Sequence, residues 1–166
     1  MKIVFIVIGV LIILCISYWW FVARNLSQFP PLSISDDDPL MKEAEKKARS
    51  SIAQFRSLVA EYPSSGRVKV PFQTNAGQTE YLWAEVRKLN DRDMEVLYIT
   101  PPVSHTGTLE RIHTHSIDDV VDWTIKLPNG NYVGGFTMRV MFKRGREQWG
   151  SLPPELAAEE SKYVEQ

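Results

Sequence analysis

The first 23 residues constrain this chain more than any other feature. From Ile3 to Ala23 no side chain is charged, and the run ends in the aromatic cluster 18–21. A helix of that length spans about 30 Å, the thickness of the hydrocarbon core of a bilayer. Aromatic rings suit the membrane interface, where one side is wet. The run therefore predicts a transmembrane signal anchor at residues 1–23.

Three alternatives to an anchor fit the same run less well. A cleaved signal peptide has a shorter apolar stretch that ends in small residues. A lipoprotein needs a small residue before Cys15, but Leu14 stands there. A buried helix of a soluble fold rarely has so long an uncharged run. With Lys2 before the run and Arg24 after it, we predict a single-pass protein of the bacterial inner membrane with its domain in the periplasm.

Composition narrows the classes of function that the remaining residues can serve. The 166 residues carry a formal net charge of −1 and a single cysteine. This charge argues against a nucleic-acid binder, which would be strongly basic. One cysteine excludes an internal disulfide and a cysteine-built zinc site. We predict a linker at 24–37, one domain at 38–146 and a tail with a short helix at 147–166.

Helical spacing is clearest directly after the linker. Asp38 is a typical N-cap residue and Pro39 suits the first helical position. Apolar residues recur at helical spacing from Met41 to Val59, which predicts one amphipathic helix that ends before Pro63.

Strand-like alternation follows this helix. It predicts strands over 68–72, 79–89, 94–99 and 108–115. Pro71 predicts that the first of these lies at a sheet edge, because proline cannot donate to a ladder. Ser116 and Asp119 resemble a capping box, and Asn129-Gly130 predicts a hairpin. The pattern predicts an α+β fold in which one amphipathic helix packs on a small antiparallel β-sheet.

The segment 136–143 allows two interpretations. Apolar and polar residues alternate along it, which is typical of a strand. Thr137 as a cap and Gly145 as a stop are equally compatible with a helix. Both interpretations stay open from the sequence.

The order of several short motifs resembles a bacterial family called domain of unknown function 2314, over roughly residues 36–145. The resemblance rests on segments 38–41 (Asp-Pro-Leu-Met), 68–72 (Val-Lys-Val-Pro-Phe), 120–123 (Val-Val-Asp-Trp) and 134–140 (Gly-Gly-Phe-Thr-Met-Arg-Val). It also includes the single residues Ala44, Ala48, Arg49, Trp83 and Gly130. The family has no established reaction, so the resemblance implies the fold and the domain limits and leaves activity open.

Two sets of residues are candidates for binding. Tyr81, Trp83 and Tyr98 supply more aromatic surface than a small half-open sheet needs, and such residues are enriched at binding hot spots. Asp122, Trp123 and Arg139 form a polar-aromatic set. For Asp122 and Arg139 we favour a structural ion pair over ligand binding, because buried charges usually have partners that hold architecture.

The three histidines offer a different class of site. His113 and His115 are two apart, so they share one side of a strand. With His105 they form a candidate zinc or copper site, which would make the chain a metal-dependent enzyme. We favour instead a membrane-anchored, non-catalytic binding domain without a cofactor, whose partner is another protein and not a nucleic acid. An immunity-type inhibitor of a toxin is one concrete version.

Overall fold

The computed structural model describes residues 12–19, 29–35 and 37–164. Within these ranges no helix is both long enough and apolar enough to cross a membrane. Residues 12–19 are helical, and the rest of the anchor predicted at 1–23 lies outside the described residues.

The described chain forms an α+β fold with a six-stranded antiparallel sheet. The helices are α1 (Pro39–Ser50), α2 (Ile52–Glu61), α3 (Phe136–Trp149) and α4 (Pro154–Glu160). The strands are β1 (Gly66–Gln73), β2 (Thr79–Leu89), β3 (Asp93–Tyr98), β4 (Ile112–Ser116), β5 (Asp122–Lys126) and β6 (Tyr132–Gly134).

Strand β1 lies inside the sheet, because the strand order is β4-β3-β2-β1-β5-β6. The edge position predicted from Pro71 is therefore wrong. The proline is tolerated because β5 pairs only with Gly66–Lys69 of β1, in a register that ends at Lys69 and Asp122. Beyond that pair, Pro71 faces β2 alone, opposite Tyr81.

The hydrophobic core lies between one face of the sheet, called the inner face, and helices α1 and α2. Alternate residues of the strands point inwards, with Val68, Val96 and Trp123 fully buried. Phe55 of α2 meets the Trp123 ring at a centroid distance of 5.4 Å. Burial of these large side chains is the main force that holds the helices on the sheet.

Two helices stand where one was predicted, because the helix breaks at Ser51. The Ser51 hydroxyl donates to the Lys47 carbonyl at 2.8 Å and to the Ala48 carbonyl at 3.0 Å. Serine side chains compete in this way with the helical ladder. The two residues at the break also contact the core. The buried Trp123 indole donates to Ala48 O and to Ser51 Oγ, both at 3.1 Å.

Segment 136–143 is helical and begins α3. Helix α3 packs against α1, and its first turn lies on the β5 end of the sheet. The predicted hairpin is confirmed, since β5 and β6 pair around Asn129-Gly130. The capping box is confirmed as well, at a 3-10 turn over Ile117–Asp119. The short C-terminal helix is observed as α4.

The described part of the linker lies against the far end of α3. The Trp149 indole donates to the Pro30 carbonyl at 3.0 Å, and its ring meets Phe29 at a centroid distance of 5.7 Å. Gln148 donates to the Pro31 carbonyl at 3.3 Å. Residues 29–31 are therefore held by the domain through these contacts.

Candidate functional site

The outer face of the sheet, opposite the core, presents a partly exposed apolar surface. It is formed by the outward side chains of β2, β3 and β4, together with the residue that follows β3. Tyr81 is 52% exposed and Ile112 is 54% exposed, whereas Trp83 is half-buried. We call this surface the open face: Tyr81, Trp83, Leu97, Ile99 and Ile112.

Backbone hydrogen bonds fix Trp83 at the centre of the open face. Its amide donates to Thr100 Oγ1 at 3.0 Å, and its carbonyl accepts from the Ile99 amide at 2.9 Å. Across the strand pair it lies opposite Lys69 of β1. The aromatic side chain therefore stands on a rigid part of the sheet, where little conformational entropy is lost on binding.

A groove of about 230 Å³ runs beside Trp83. We call it the Trp83 groove. Its floor includes Trp83, Ile99 and Thr124 of the sheet, and its wall includes Met138 of α3 and Tyr163. The groove exists because α3 and the segment after α4 cover the β5 end of the outer face and leave β2 open.

Tyr163 is a fixed part of this wall. Residue 163 forms a parallel bridge with Tyr132, and the two rings stack at a centroid distance of 5.2 Å. Burial raises the pKa of the Tyr163 hydroxyl to about 12, so this phenol stays neutral at physiological pH. The wall therefore offers an uncharged hydroxyl at Tyr163, and Glu159 also lines the groove.

The charges beside the open face are largely balanced. Glu85 lies 3.7 Å from the guanidinium groups of both Arg67 and Arg87. Burial lowers the pKa of Lys69, and the nearby carboxylate of Asp122 opposes that shift. Exposed ion pairs such as those of Glu85 with Arg67 and Arg87 add little affinity. The contact area of the open face therefore comes from its aromatic and aliphatic groups.

Tyr98 does not belong to the open face, which corrects the prediction that grouped it with Tyr81 and Trp83. Its side chain is 1% exposed and lies in the core on the inner face. It follows Met94 and Val96 at a spacing of two, and alternate residues of a strand share one side. Burial raises the pKa of its hydroxyl to about 12.

The three histidines gather around Tyr98 and Phe72 at one end of the inner face. The Phe72 ring lies 5.4 Å from the His105 ring and 5.9 Å from the His113 ring, and the Tyr98 ring lies 5.0 Å from that of His113. His115 Nε2 is 2.7 Å from Tyr98 Oη. The sequence thus predicted their proximity, but each ring is packed as part of the core rim.

Each histidine has at least one ring nitrogen in contact with another group of the protein. His113 Nε2 donates to the Glu110 carbonyl at 2.7 Å, and His115 Nδ1 lies 3.6 Å from Asp119 Oδ2. Among residues 12–19, 29–35 and 37–164, no three His, Cys, Asp or Glu side chains are arranged to hold a metal ion. The metal-dependent enzyme considered above therefore has no donor set in this part of the chain.

Asp122 and Trp123 are buried and have structural roles. The Asp122 carboxylate accepts from the amides of Trp123 and Phe136 at 2.8 and 3.0 Å, and from the Thr137 amide and hydroxyl at 2.8 and 2.6 Å. Burial raises the pKa of Asp122, and these four hydrogen bonds oppose the shift. The N-terminus of α3 is thereby occupied by an internal carboxylate.

The predicted ion pair between Asp122 and Arg139 is not formed. Arg139 lies one turn into α3, and its guanidinium donates to the carbonyls of Gly134, Tyr163 and Val164. Asp122 instead binds the amides at the start of the same helix. The two side chains therefore contact different groups. Arg139 therefore fastens the segment after α4 to α3.

Two glycines allow this arrangement. Gly134 and Gly135 have φ values of +83° and +67°. A Cβ on Gly134 would lie 2.3 Å from Trp123 O, and one on Gly135 would lie 2.3 Å from Tyr163 Cε1. The turn into α3 thus requires glycine for its backbone angle and for its close packing.

A family model matches residues 38–149, which is more than half of the chain. Its description is an uncharacterized protein conserved in bacteria, DUF2314. The chain belongs to this family. No curated protein and no solved structure matches the sequence. The resemblance of residues 36–145 is confirmed, and the DUF2314 match extends to the end of α3.

Several motif residues of the DUF2314 domain meet around α3. Asp38 accepts from the amides of Leu40 and Met41 at the start of α1, and its carboxylate also binds Arg144 of α3 through two contacts of 2.8 and 3.0 Å. With Asp122 and the glycine pair, these contacts hold α3 in place. Most motif residues that carry the resemblance therefore build the scaffold, whereas Trp83 and Met138 also line the Trp83 groove.

Sequence reasoning missed the part of the groove wall that comes from Met138 and Tyr163. The strand interpretation of 136–143 placed Met138 among sheet residues. Tyr163 follows a short helix with little apolar content, and no local pattern indicates that it returns to β6. The available signal was the helix interpretation with Thr137 as a cap and Gly145 as a stop. The helix itself runs over Phe136–Trp149, with Gly135 and Gly150 at its ends.

Proposed function

We propose that this DUF2314 protein is a membrane-anchored, non-catalytic binding domain whose partner is another protein. The partner inserts an apolar side chain into the Trp83 groove and packs against Tyr81. An immunity-type inhibitor that neutralises a toxin in the periplasm is one concrete version of this function.

The observation that carries the proposal is the exposure of Tyr81 beside a rigid, half-buried Trp83. Exposed aromatic side chains that cluster on one face are typical of protein-binding surfaces. The groove of about 230 Å³ is small for a drug-sized ligand but suits one inserted side chain. The open face around it supplies the apolar contact area that such an insertion needs.

The uncharged run from Ile3 to Ala23 supports the membrane anchor. A single helix with flanking aromatic residues would hold the domain at the surface of the inner membrane. Removal of residues 1–23 is expected to move the protein from the membrane fraction to the soluble fraction. A C-terminal alkaline phosphatase fusion tests the side, since this reporter is active only in the periplasm.

Crosslinking in living cells tests the partner. The full-length protein is crosslinked, purified and analysed for stoichiometric partners by mass spectrometry. We expect one saturable complex that Tyr81→Ala and Trp83→Ala both weaken by at least about tenfold, as for hot-spot residues. Tyr81→Ala is the sharper variant, because its exposed ring contributes little to the core.

Leu156→Ala is the matched control, since Leu156 is an exposed apolar residue of α4 outside the open face. It should leave the complex unchanged. A complex that survives both aromatic substitutions, in variants with wild-type unfolding temperatures, would overturn the proposed site.

A further inference from the structure

A second groove, distinct from the Trp83 groove, lies between α1 and α3. It consists of two adjoining cavities of about 460 and 220 Å³. Both are lined by Lys47 of α1 and by Phe136 and Arg139 of α3. We call it the interhelical groove, and its larger cavity falls in the usual size range of small-molecule sites.

Positive charge predominates along this groove. Among the described residues that line it, Lys47, Arg139 and Lys143 are basic and Glu43 is acidic. The contact between Lys47 and Glu43 is 3.0 Å long, and both side chains are more than half exposed. A pair so exposed is weak, and Lys47 can therefore turn towards a ligand at small cost.

Arg139 is the unusual member of the set. It is half-buried, yet in the part of the chain that the structure describes its guanidinium contacts carbonyl oxygens and not a carboxylate. A guanidinium has five N–H donors, and three are used in these contacts. Among the described residues, the remaining contact of this guanidinium is with the Tyr163 ring, whose centroid lies 5.8 Å away. A guanidinium next to a cavity suits a carboxylate or phosphate.

The rest of the lining is mixed in the larger cavity, where Ser50, Ser51 and Gln54 stand beside Trp123, Val133 and Val164, and apolar in most of the smaller one. Phe136 lies between the two cavities, and Leu40 and Val140 line the smaller one. The neighbouring basic residues of α3 do not contribute, because Arg144 is paired with Asp38 and Glu147 and Arg146 is paired with Glu160. A ligand that matches the groove has one anionic group and an apolar body.

We propose that the interhelical groove binds a phosphate or carboxylate group carried on an apolar body. Arg139 and Lys47 hold the anion, and Phe136 packs against the apolar part. Such a group is offered by a free small molecule or by an anionic lipid headgroup, and the recognition chemistry is the same in both.

Phenyl phosphate is a suitable probe for the free ligand. It is titrated into the full-length protein in nonionic detergent and followed by calorimetry, with benzyl alcohol as the uncharged comparison. We expect saturable binding of phenyl phosphate and none of the alcohol. Lys47→Gln should weaken binding by at least about tenfold, because one charge-assisted contact is lost.

Lys46→Gln is the matched control, since Lys46 is the adjacent exposed lysine of α1 and does not line the groove. It removes the same charge and should leave the affinity unchanged. Arg139→Gln should abolish binding, and Arg139→Lys, which keeps the charge, should restore part of it. Equal losses in Lys46→Gln and Lys47→Gln would overturn the proposal, because they indicate a general electrostatic effect.

A second arm distinguishes the source of the anion. The protein is placed in nanodiscs of phosphatidylcholine with or without phosphatidylglycerol, and amide chemical shifts of α1 and α3 are compared. Shifts that depend on phosphatidylglycerol and on Lys47 assign a lipid headgroup, whereas a response to phenyl phosphate alone assigns a free ligand. Absence of a response in both arms, with a correctly folded protein, would refute the site.

Discussion

Thr137 donates both its amide and its hydroxyl to one oxygen of Asp122, at 2.8 and 2.6 Å. Asp122 lies on β5 and Thr137 at the start of α3, so the cap of this helix comes from a strand. The contact fixes where α3 begins and therefore where Met138 stands in the wall of the Trp83 groove. A buried carboxylate thus positions a surface site that it does not touch.

Asp122→Ala should destabilise the domain by about 2–4 kcal/mol, because it removes the acceptor of three amides and a hydroxyl. Urea unfolding followed by circular dichroism measures this loss. Asp118→Ala is the control, since Asp118 is an exposed aspartate that lies in the 3-10 turn next to β5. Equal unfolding midpoints for the two variants would contradict the role assigned to Asp122.

A pair of glycine substitutions separates backbone strain from steric conflict. Gly77→Ala should cost about 1–2 kcal/mol, because φ is +77° and the space around it is open. Gly134→Ala has a similar φ of +83° but also places its Cβ 2.3 Å from Trp123 O. Overpacking should lower the unfolding free energy of Gly134→Ala by roughly a further 1–3 kcal/mol. Thermal unfolding compares the two, and similar melting temperatures would show that the turn before α3 can relax.

His115 should make stability depend on pH. Burial lowers its pKa below the ordinary value of 6.5, against the opposing pull of Asp119. The unfolded chain then binds a proton more readily than the folded one, so stability is lost as pH falls below 6.5 towards the folded pKa. Urea midpoints between pH 8 and pH 5 should fall less steeply in His115→Gln than in wild type.

His105→Gln is the matched control for this experiment. It removes another imidazole at the same end of the sheet but keeps the contact between His115 and Tyr98. If the pH dependence of the urea midpoint weakens as much in His105→Gln as in His115→Gln, it comes from the overall charge of the protein and not from His115.

The ion pair of Asp38 and Arg144 should govern resistance to acid. The hydrogen bond from Arg144 lowers the pKa of Asp38 below 3.8, so the pair stabilises the fold above that pH and is lost as pH falls through the folded pKa. In Arg144→Gln the acid-unfolding midpoint should move to higher pH. Arg67→Gln, which removes an exposed and longer ion pair, is the control and should leave the midpoint unchanged.

Local patterns predicted the parts of the fold whose causes are local. The start of α1 follows from Asp38 and Pro39, and the hairpin between β5 and β6 follows from Asn129-Gly130. The bounds of β2 were predicted as observed, because the inward side chains Leu82, Ala84 and Val86 alternate along its middle. In each of these cases the residues that determine the structure are neighbours in the chain.

Features with distant causes escaped prediction. The Ser51 hydroxyl, at the break between α1 and α2, also accepts from the indole of Trp123, and the start of α3 depends on Asp122. Neither partner lies within the helix that it shapes. Of the candidate site, Tyr81 and Trp83 were found from their alternation, whereas Tyr98 was misplaced although the same alternation puts it inside.

The place of β1 in the sheet also has a consequence for how the chain folds. Strands β1 to β4 are consecutive neighbours, so they can assemble into a meander while later residues are still on the ribosome. The other edge of β1, at Gly66–Lys69, pairs only when β5 is added, together with its buried Trp123. We expect docking of β5 to limit the folding rate, because it closes the longest loop in the sheet.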